Sequence, residues 1–112
     1  MIIWHNPRCS KSRQTLALLE EKGHAPEVRK YLEEAPTEAD IRAALAALGK
    51  APIEMMRTGE KLFKEQGLSR DSDEATLIAA MAAHPILIER PIVIKDGSAR
   101  IGRPPESVLE LF

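Results

Sequence analysis

A single cysteine stands in the 112-residue chain, inside the run His5-Asn6-Pro7-Arg8-Cys9-Ser10-Lys11-Ser12-Arg13. Ile2-Ile3-Trp4 reads as a short buried strand closed by Asn6-Pro7, and a helical pattern begins at Ser10. Cys9 at that junction meets unpaired backbone N–H groups and the positive end of the helix dipole. Both favour a thiolate. A free thiol titrates near ~8.5, and helix N-termini and neighbouring cations lower that value. His5, Arg8, Lys11 and Arg13 are candidate cations. One thiol can neither close an intrachain disulfide nor supply a Cys-rich zinc cluster.

Other readings of the same residues are weaker. A lone cysteine is often a small buried apolar residue, but a place between Pro7 and a helix start argues for reactivity. Of His5, Cys9, His24 and His84 only His5 and Cys9 stand within four residues of each other, and no second pair completes a structural zinc set, so no metal is expected. A phosphatase-like loop needs Arg six positions after the nucleophile, where Thr15 stands, and Arg13 is too close to replace it. A Cys-His protease needs an orienting Asn or Asp, which His5 lacks. Three arginines sit beside turn or proline signals: Arg57 in Met56-Arg57-Thr58-Gly59, Arg90 before Pro91, and Arg103 before Pro104. Any one could be an ordinary surface residue. Arg90 and Arg103, however, flank a predicted hairpin and can meet on one sheet edge. A planar guanidinium suits a tetrahedral oxyanion, so three of them around a thiolate would bind a dianion and keep the sulfur ionised.

The elements that must position these groups follow from pattern and punctuation. The first helix runs from Ser10, with Ser10 or Ser12 as cap and Leu16 and Leu19 inward, to a stop at Gly23. Val28–Tyr31 is expected as a second strand. Thr37 and Asp40 form a capping-box variant ahead of Ile41, Ala44, Leu45 and Leu48, which repeat at helical spacing up to Gly49. Pro52–Arg57 and Glu60–Gln66 read as helical turns and Asp73–Ala83 as a helix, so the middle is expected to be wholly helical. Ile92-Val93-Ile94 returns to strand, Asp96-Gly97 is a hairpin turn, and Pro104-Pro105 starts a last short helix. The result is an α/β fold with a small mixed sheet and one domain over residues 1–112, with a helical insertion at about 36–84. Sixteen Lys plus Arg against 17 Asp plus Glu leave a formal charge of -1. No global field then draws the chain to nucleic acid, so any anion site must be built locally. No apolar run approaches the ~20 residues of a membrane helix, and no charged segment precedes an apolar one at the start. The expectation is a cytoplasmic protein, read as a monomer, without a membrane partner or a tightly bound cofactor.

The Cys9 run, Met56-Arg57, His84-Pro85-Ile86-Leu87-Ile88-Glu89-Arg90-Pro91-Ile92-Val93 and Gly102-Arg103-Pro104-Pro105-Glu106 together resemble the glutaredoxin-dependent arsenate reductase family, in order from first strand to last helix. The resemblance implies a thioredoxin-like, glutaredoxin-like fold with a helical insertion. It also implies Cys9 as catalytic thiol, an Arg57, Arg90 and Arg103 triad for the oxyanion, and a cis Arg90–Pro91 bond. His5 would help keep the thiol ionised. Arsenate would be the substrate, glutathione the cosubstrate and glutaredoxin the partner, because no second cysteine can resolve the adduct. Ser10-Lys11 stands where well-studied family members have Gly-Thr. A sister group with this fold regulates transcription through RNA polymerase and often carries a Cys-x-x-Cys switch, which Ser12 interrupts here. A non-enzymatic regulator and a thiol reductase for another substrate are the alternatives.

Overall fold

Strand β1 (Ile2–Trp4) lies inside a four-stranded sheet of order β2-β1-β3-β4 in the computed structural model, which describes residues 1–112. The other strands are β2 (Glu27–Arg29), β3 (Ile92–Lys95) and β4 (Ser98–Ile101). β1 runs parallel to β2, with Ile3 opposite Val28, and antiparallel to β3, with Ile3 opposite Val93. Connection length explains the mixture: a helical crossover permits a parallel return, whereas a two-residue turn forces an antiparallel one. Asp96 and Gly97 supply that turn with φ of 50° and 80°, and two consecutive positive φ values match the twist of a tight hairpin. The second strand ends earlier than Tyr31. At Lys30 the carbonyl accepts the N–H groups of Glu33 and Glu34, and Tyr31 is buried within this turn rather than paired in the ladder.

Helix α1 (Ser10–Glu21) turns Ser12, Thr15 and Leu19 inward. The expectation that Ser10 or Ser12 caps it is corrected: Cys9 is the N-cap residue, in extended backbone with φ of -92° and ψ of 122°, and no side chain caps the helix. Ser12 is unavailable because its hydroxyl accepts the Asn6 N–H at 3.0 Å. Leu19, Ile3, Val93 and Val108 form a fully buried cluster, with Leu16 and Leu111 packed on it. The last helix is 3₁₀ over Pro105–Leu111. Residues Met1–Glu34 and Arg90–Phe112 make one compact unit around this sheet.

Ala35–Glu89 make a second compact unit. Helix α2 (Glu38–Leu48) starts at a reciprocal capping box, with Asp40 N–H donating to Thr37 Oγ1 at 3.1 Å and Thr37 N–H donating to Asp40 Oδ2 at 3.0 Å. It ends at Gly49 in the left-handed region, φ 66°, where a side chain would be strained. Helix α3 (Lys61–Glu65) buries Phe63, and α4 (Glu74–Ala83), capped by Asp73, buries Leu77, Ile78 and Met81. Short 3₁₀ turns occupy Pro52–Met55 and Pro85–Leu87. This unit is not wholly helical, because Met56 and Ile88 form an isolated antiparallel bridge. No helix is long and apolar enough to cross a membrane.

Close packing at one glycine joins β4, α1 and Pro91. A Cβ on Gly102 would stand 2.5 Å from Thr15 Oγ1 and 2.7 Å from Pro91 Cγ. Thr15 is fully buried, its hydroxyl donating to the Lys11 carbonyl at 2.8 Å, so it has little room to yield. Gly102→Ala is therefore expected to destabilise the fold by about 1–3 kcal/mol, as overpacking does. Urea unfolding checks this; a midpoint equal to that of the natural chain would show that the junction has space.

Candidate active site

Cys9 reaches the start of α1 through a loop stiffened by its own polar groups. Asn6 Oδ1 accepts the Arg8 N–H at 3.0 Å, the Asn6 carbonyl accepts the Cys9 N–H at 3.0 Å, and Arg13 Nη1 donates to the Pro7 carbonyl at 2.9 Å. The turn follows from asparagine chemistry, since its short side chain mimics a backbone acceptor and bonds the chain two residues on. Cys9 is left 8% exposed. Burial raises its pKa, but the N–H groups of Ser12 and Lys11, together with the charge and hydrogen bonding of Arg90, outweigh that cost and bring it below the usual thiol value.

Arg103 approaches the same sulfur from the far end of the chain. Its Nη2 donates to Cys9 Sγ at 3.5 Å and its Nε donates to the Arg90 carbonyl at 2.8 Å. The Arg90 backbone thus orients the Arg103 guanidinium while the Arg90 side chain acts on the thiolate. The bonds Arg90–Pro91 and Arg103–Pro104 are both cis, and the second has no counterpart in the sequence reading. Two of the three expected arginines therefore gather with Cys9 in one unit. Arg57 belongs to the helical unit, where its Nη1 lies 3.1 Å from Glu60 Oε2 and its Nε 4.0 Å from Glu89 Oε1.

His5 does something other than supply a positive charge. Its ring is buried, with Nδ1 2.6 Å from Ser12 Oγ. Burial first, and then the charges of Lys30 and Arg13, lower its pKa below 6.5, so the ring is neutral at neutral pH. Its connection to the thiol runs through Ser12, whose backbone N–H bonds the sulfur. The first helical turn thereby gains a buried anchor that the sequence reading treated only as a cap. An inward-facing hydroxyl at the third residue after a candidate thiolate was the available signal. No cluster of three or more His, Cys, Asp and Glu side chains is placed to hold a metal ion.

A sulfur at a helix start beside two guanidiniums is the arrangement that the family comparisons bear on. A model of the ArsC family matches residues 4–111. The chain belongs to the ArsC family. It is 47% identical over 114 residues to an arsenate reductase of Haemophilus influenzae, covering 100% of this chain and 98% of that one. It is 54% identical over 111 residues to an uncharacterized Escherichia coli protein, YfgD, covering 97% and 93% of the two chains. Among solved structures, an arsenate reductase from Vibrio cholerae superposes with a TM-score of 0.96 at 52% identity, covering 99% of this chain and 96% of that one. The fold of this ArsC-family chain is thioredoxin-like.

Because the Cys9 pKa is lowered from the ordinary thiol value, its alkylation by iodoacetamide is expected to rise with pH around a midpoint below that of the same thiol in the unfolded chain. Arg90→Ala should move that midpoint up, and an unmoved midpoint would remove Arg90 from the electrostatics. The folded value lies below the unfolded one, so thiol ionisation adds stability that is complete above the unfolded pKa and is lost as pH falls through the folded pKa. The stability difference between the natural chain and Cys9→Ser should therefore grow with pH across that window and stay constant below it.

Proposed function

We propose that this chain reduces arsenate to arsenite at Cys9, with glutathione and glutaredoxin supplying the electrons. The observation that carries this reading is the Cys9 thiol, its pKa lowered from the ordinary value, within hydrogen-bonding distance of Arg103 and in the field of Arg90. Relatives named arsenate reductase that match essentially end to end support it.

In the proposed sequence the Cys9 thiolate attacks arsenic, an S–As bond forms, and one arsenate oxygen leaves as water after taking protons from solvent. Arg90 and Arg103 hold the anionic oxygens and stabilise the charge that builds on them, a contribution that often dominates at such sites. The resemblance assigns a third guanidinium to Arg57. Glutathione replaces a second oxygen as water, giving arsenic bonded to both sulfurs and still pentavalent. A glutaredoxin thiolate then attacks the glutathionyl sulfur. The S–As bond breaks with its electron pair left on arsenic, which becomes trivalent, and the mixed disulfide of glutathione and glutaredoxin departs. Water displaces Cys9 from arsenic, arsenite leaves, and the thiolate returns. The single cysteine of the chain supports this dependence, since no second thiol of its own is available to resolve the adduct.

Arsenite formation from arsenate, glutathione and glutaredoxin is the test. Cys9→Ser should abolish turnover. Arg103→Ala should lower kcat/KM for arsenate by about 10²- to 10³-fold, the size of effect seen when one oxyanion donor is lost. Turnover retained by Cys9→Ser, or absent from the natural chain, overturns the reading.

A further inference from the structure

Thr15, an inward residue of α1, lies one turn beyond the residues whose N–H groups bond Cys9, and its side chain is fully enclosed. Its hydroxyl donates to the Lys11 carbonyl at 2.8 Å. That carbonyl belongs to the peptide group linking Lys11 to Ser12, and the N–H of the same group is the Ser12 N–H that bonds the Cys9 sulfur. Hydroxyl, peptide and sulfur therefore form one chain of hydrogen bonds. A peptide group is a conjugated unit, so a donor at its oxygen draws density from its nitrogen. The N–H becomes a stronger donor, as neighbouring hydrogen bonds polarise one another.

Filling this position does not require a hydroxyl. The Lys11 carbonyl accepts the N–H four residues on, as carbonyls inside an α-helix do, and is satisfied without the side chain. Valine has nearly the shape of threonine and would leave no buried partner unpaired, the case in which losing a hydrogen bond costs little. A threonine bonded back to the i−4 carbonyl gives a helix no net support. Folding alone thus gives no reason for the hydroxyl.

Packing fixes the hydroxyl where it acts. Threonine in a helix divides between two χ1 rotamers. Around Thr15 the space is closed by Gly102 and Pro91: a Cβ on Gly102 would lie 2.5 Å from Thr15 Oγ1, 3.1 Å from Thr15 Cγ2 and 2.7 Å from Pro91 Cγ. Gly102 leads directly to Arg103, whose Nη2 donates to the same sulfur at 3.5 Å. The first turn of α1 and the segment carrying Arg103 both bear on this one side chain.

We propose that Thr15 is a positioning residue for Cys9: its hydroxyl holds and strengthens the Ser12 N–H as a donor to the sulfur, while its methyl group contributes packing alone. The proposal rests on reading Cys9 as the reacting thiolate and not on the identity of the substrate. The other groups that bear on the ionisation of the sulfur are Arg90 and Arg103 beside it and His5 through Ser12, all retained in the variants that test the proposal.

Thr15→Val removes the hydroxyl and keeps the methyl, Thr15→Ser does the reverse, and Thr15→Ala removes both without crowding Gly102. Iodoacetamide alkylation of Cys9 is followed against pH; the midpoint reads ionisation and the high-pH plateau reads access to the sulfur. In Thr15→Val and Thr15→Ala the midpoint should rise by about 0.3–0.5 pH units, slowing alkylation about two- to threefold at a pH well below it. In Thr15→Ser it should stay in place. Urea unfolding midpoints should divide the variants differently, with Thr15→Ser and Thr15→Ala less stable than Thr15→Val. If the alkylation midpoint follows stability, moving in Thr15→Ser and not in Thr15→Val, or if it moves in none of the three, the assignment is overturned. Arsenite formation by the natural chain is measured separately. Its absence removes the reductase reading and leaves the alkylation result intact, whereas unmoved midpoints in a chain that makes arsenite remove the role of Thr15 alone.

Discussion

Favouring the thiolate form of a nearly buried sulfur is the constraint around which this structure is arranged. Removing a thiolate from water is costly, and a group left uncompensated would take up a proton instead. At Cys9 that tendency is countered, because the start of α1 directs the N–H groups of Ser12 and Lys11 at the sulfur while Arg90 and Arg103 bring positive charge to it. These groups come from segments nearly the length of the chain apart. No local stretch could hold them together, so the pairing of β1 with β3 and the tight Asp96-Gly97 turn are what bring the terminal arginines back to the first loop.

The same site places different demands on charge within a few residues. A guanidinium suits the sulfur because it stays protonated at every accessible pH and offers several donors in a plane. His5, close by in sequence, is held neutral by burial and by Lys30 and Arg13, and its service is to fasten Ser12. Permanent charge thus comes from arginine and positional rigidity from a buried polar pair. Gly102 completes the arrangement from behind: without a side chain, it lets the segment leading to Arg103 pass against Pro91 and Thr15.

Sheet topology also sets what surrounds the loop that carries Cys9. The parallel β1 and β2 pair opens a crevice at its carboxyl ends, and the catalytic loop forms one wall of that crevice. One face of the loop then meets the arginines through Cys9, and the other meets Lys30 and Glu33 across the cavity. A rigid Asn-Pro turn serves both faces because it fixes the backbone without using the side chains of Arg8 or Cys9.

Elements governed by neighbours in sequence were legible without coordinates. The Thr37 and Asp40 capping box, the Gly49 stop, the Asp73-capped helix and the Asp96-Gly97 hairpin all depend on interactions spanning a few residues, and they stand where pattern and turn chemistry place them. The place of the thiol was legible for the same reason, since a single cysteine between a strand signal and a helix start is a local feature. Tertiary structure alone decided the rest. The role of Ser12, the neutrality of His5, the end of β2 ahead of Tyr31 and the contact of Arg103 with Cys9 depend on burial and on distances between remote segments. Hydrophobic periodicity records which face of an element is buried, but it does not encode what that face meets. The ionisation of a histidine and the reach of an arginine are set by those meetings.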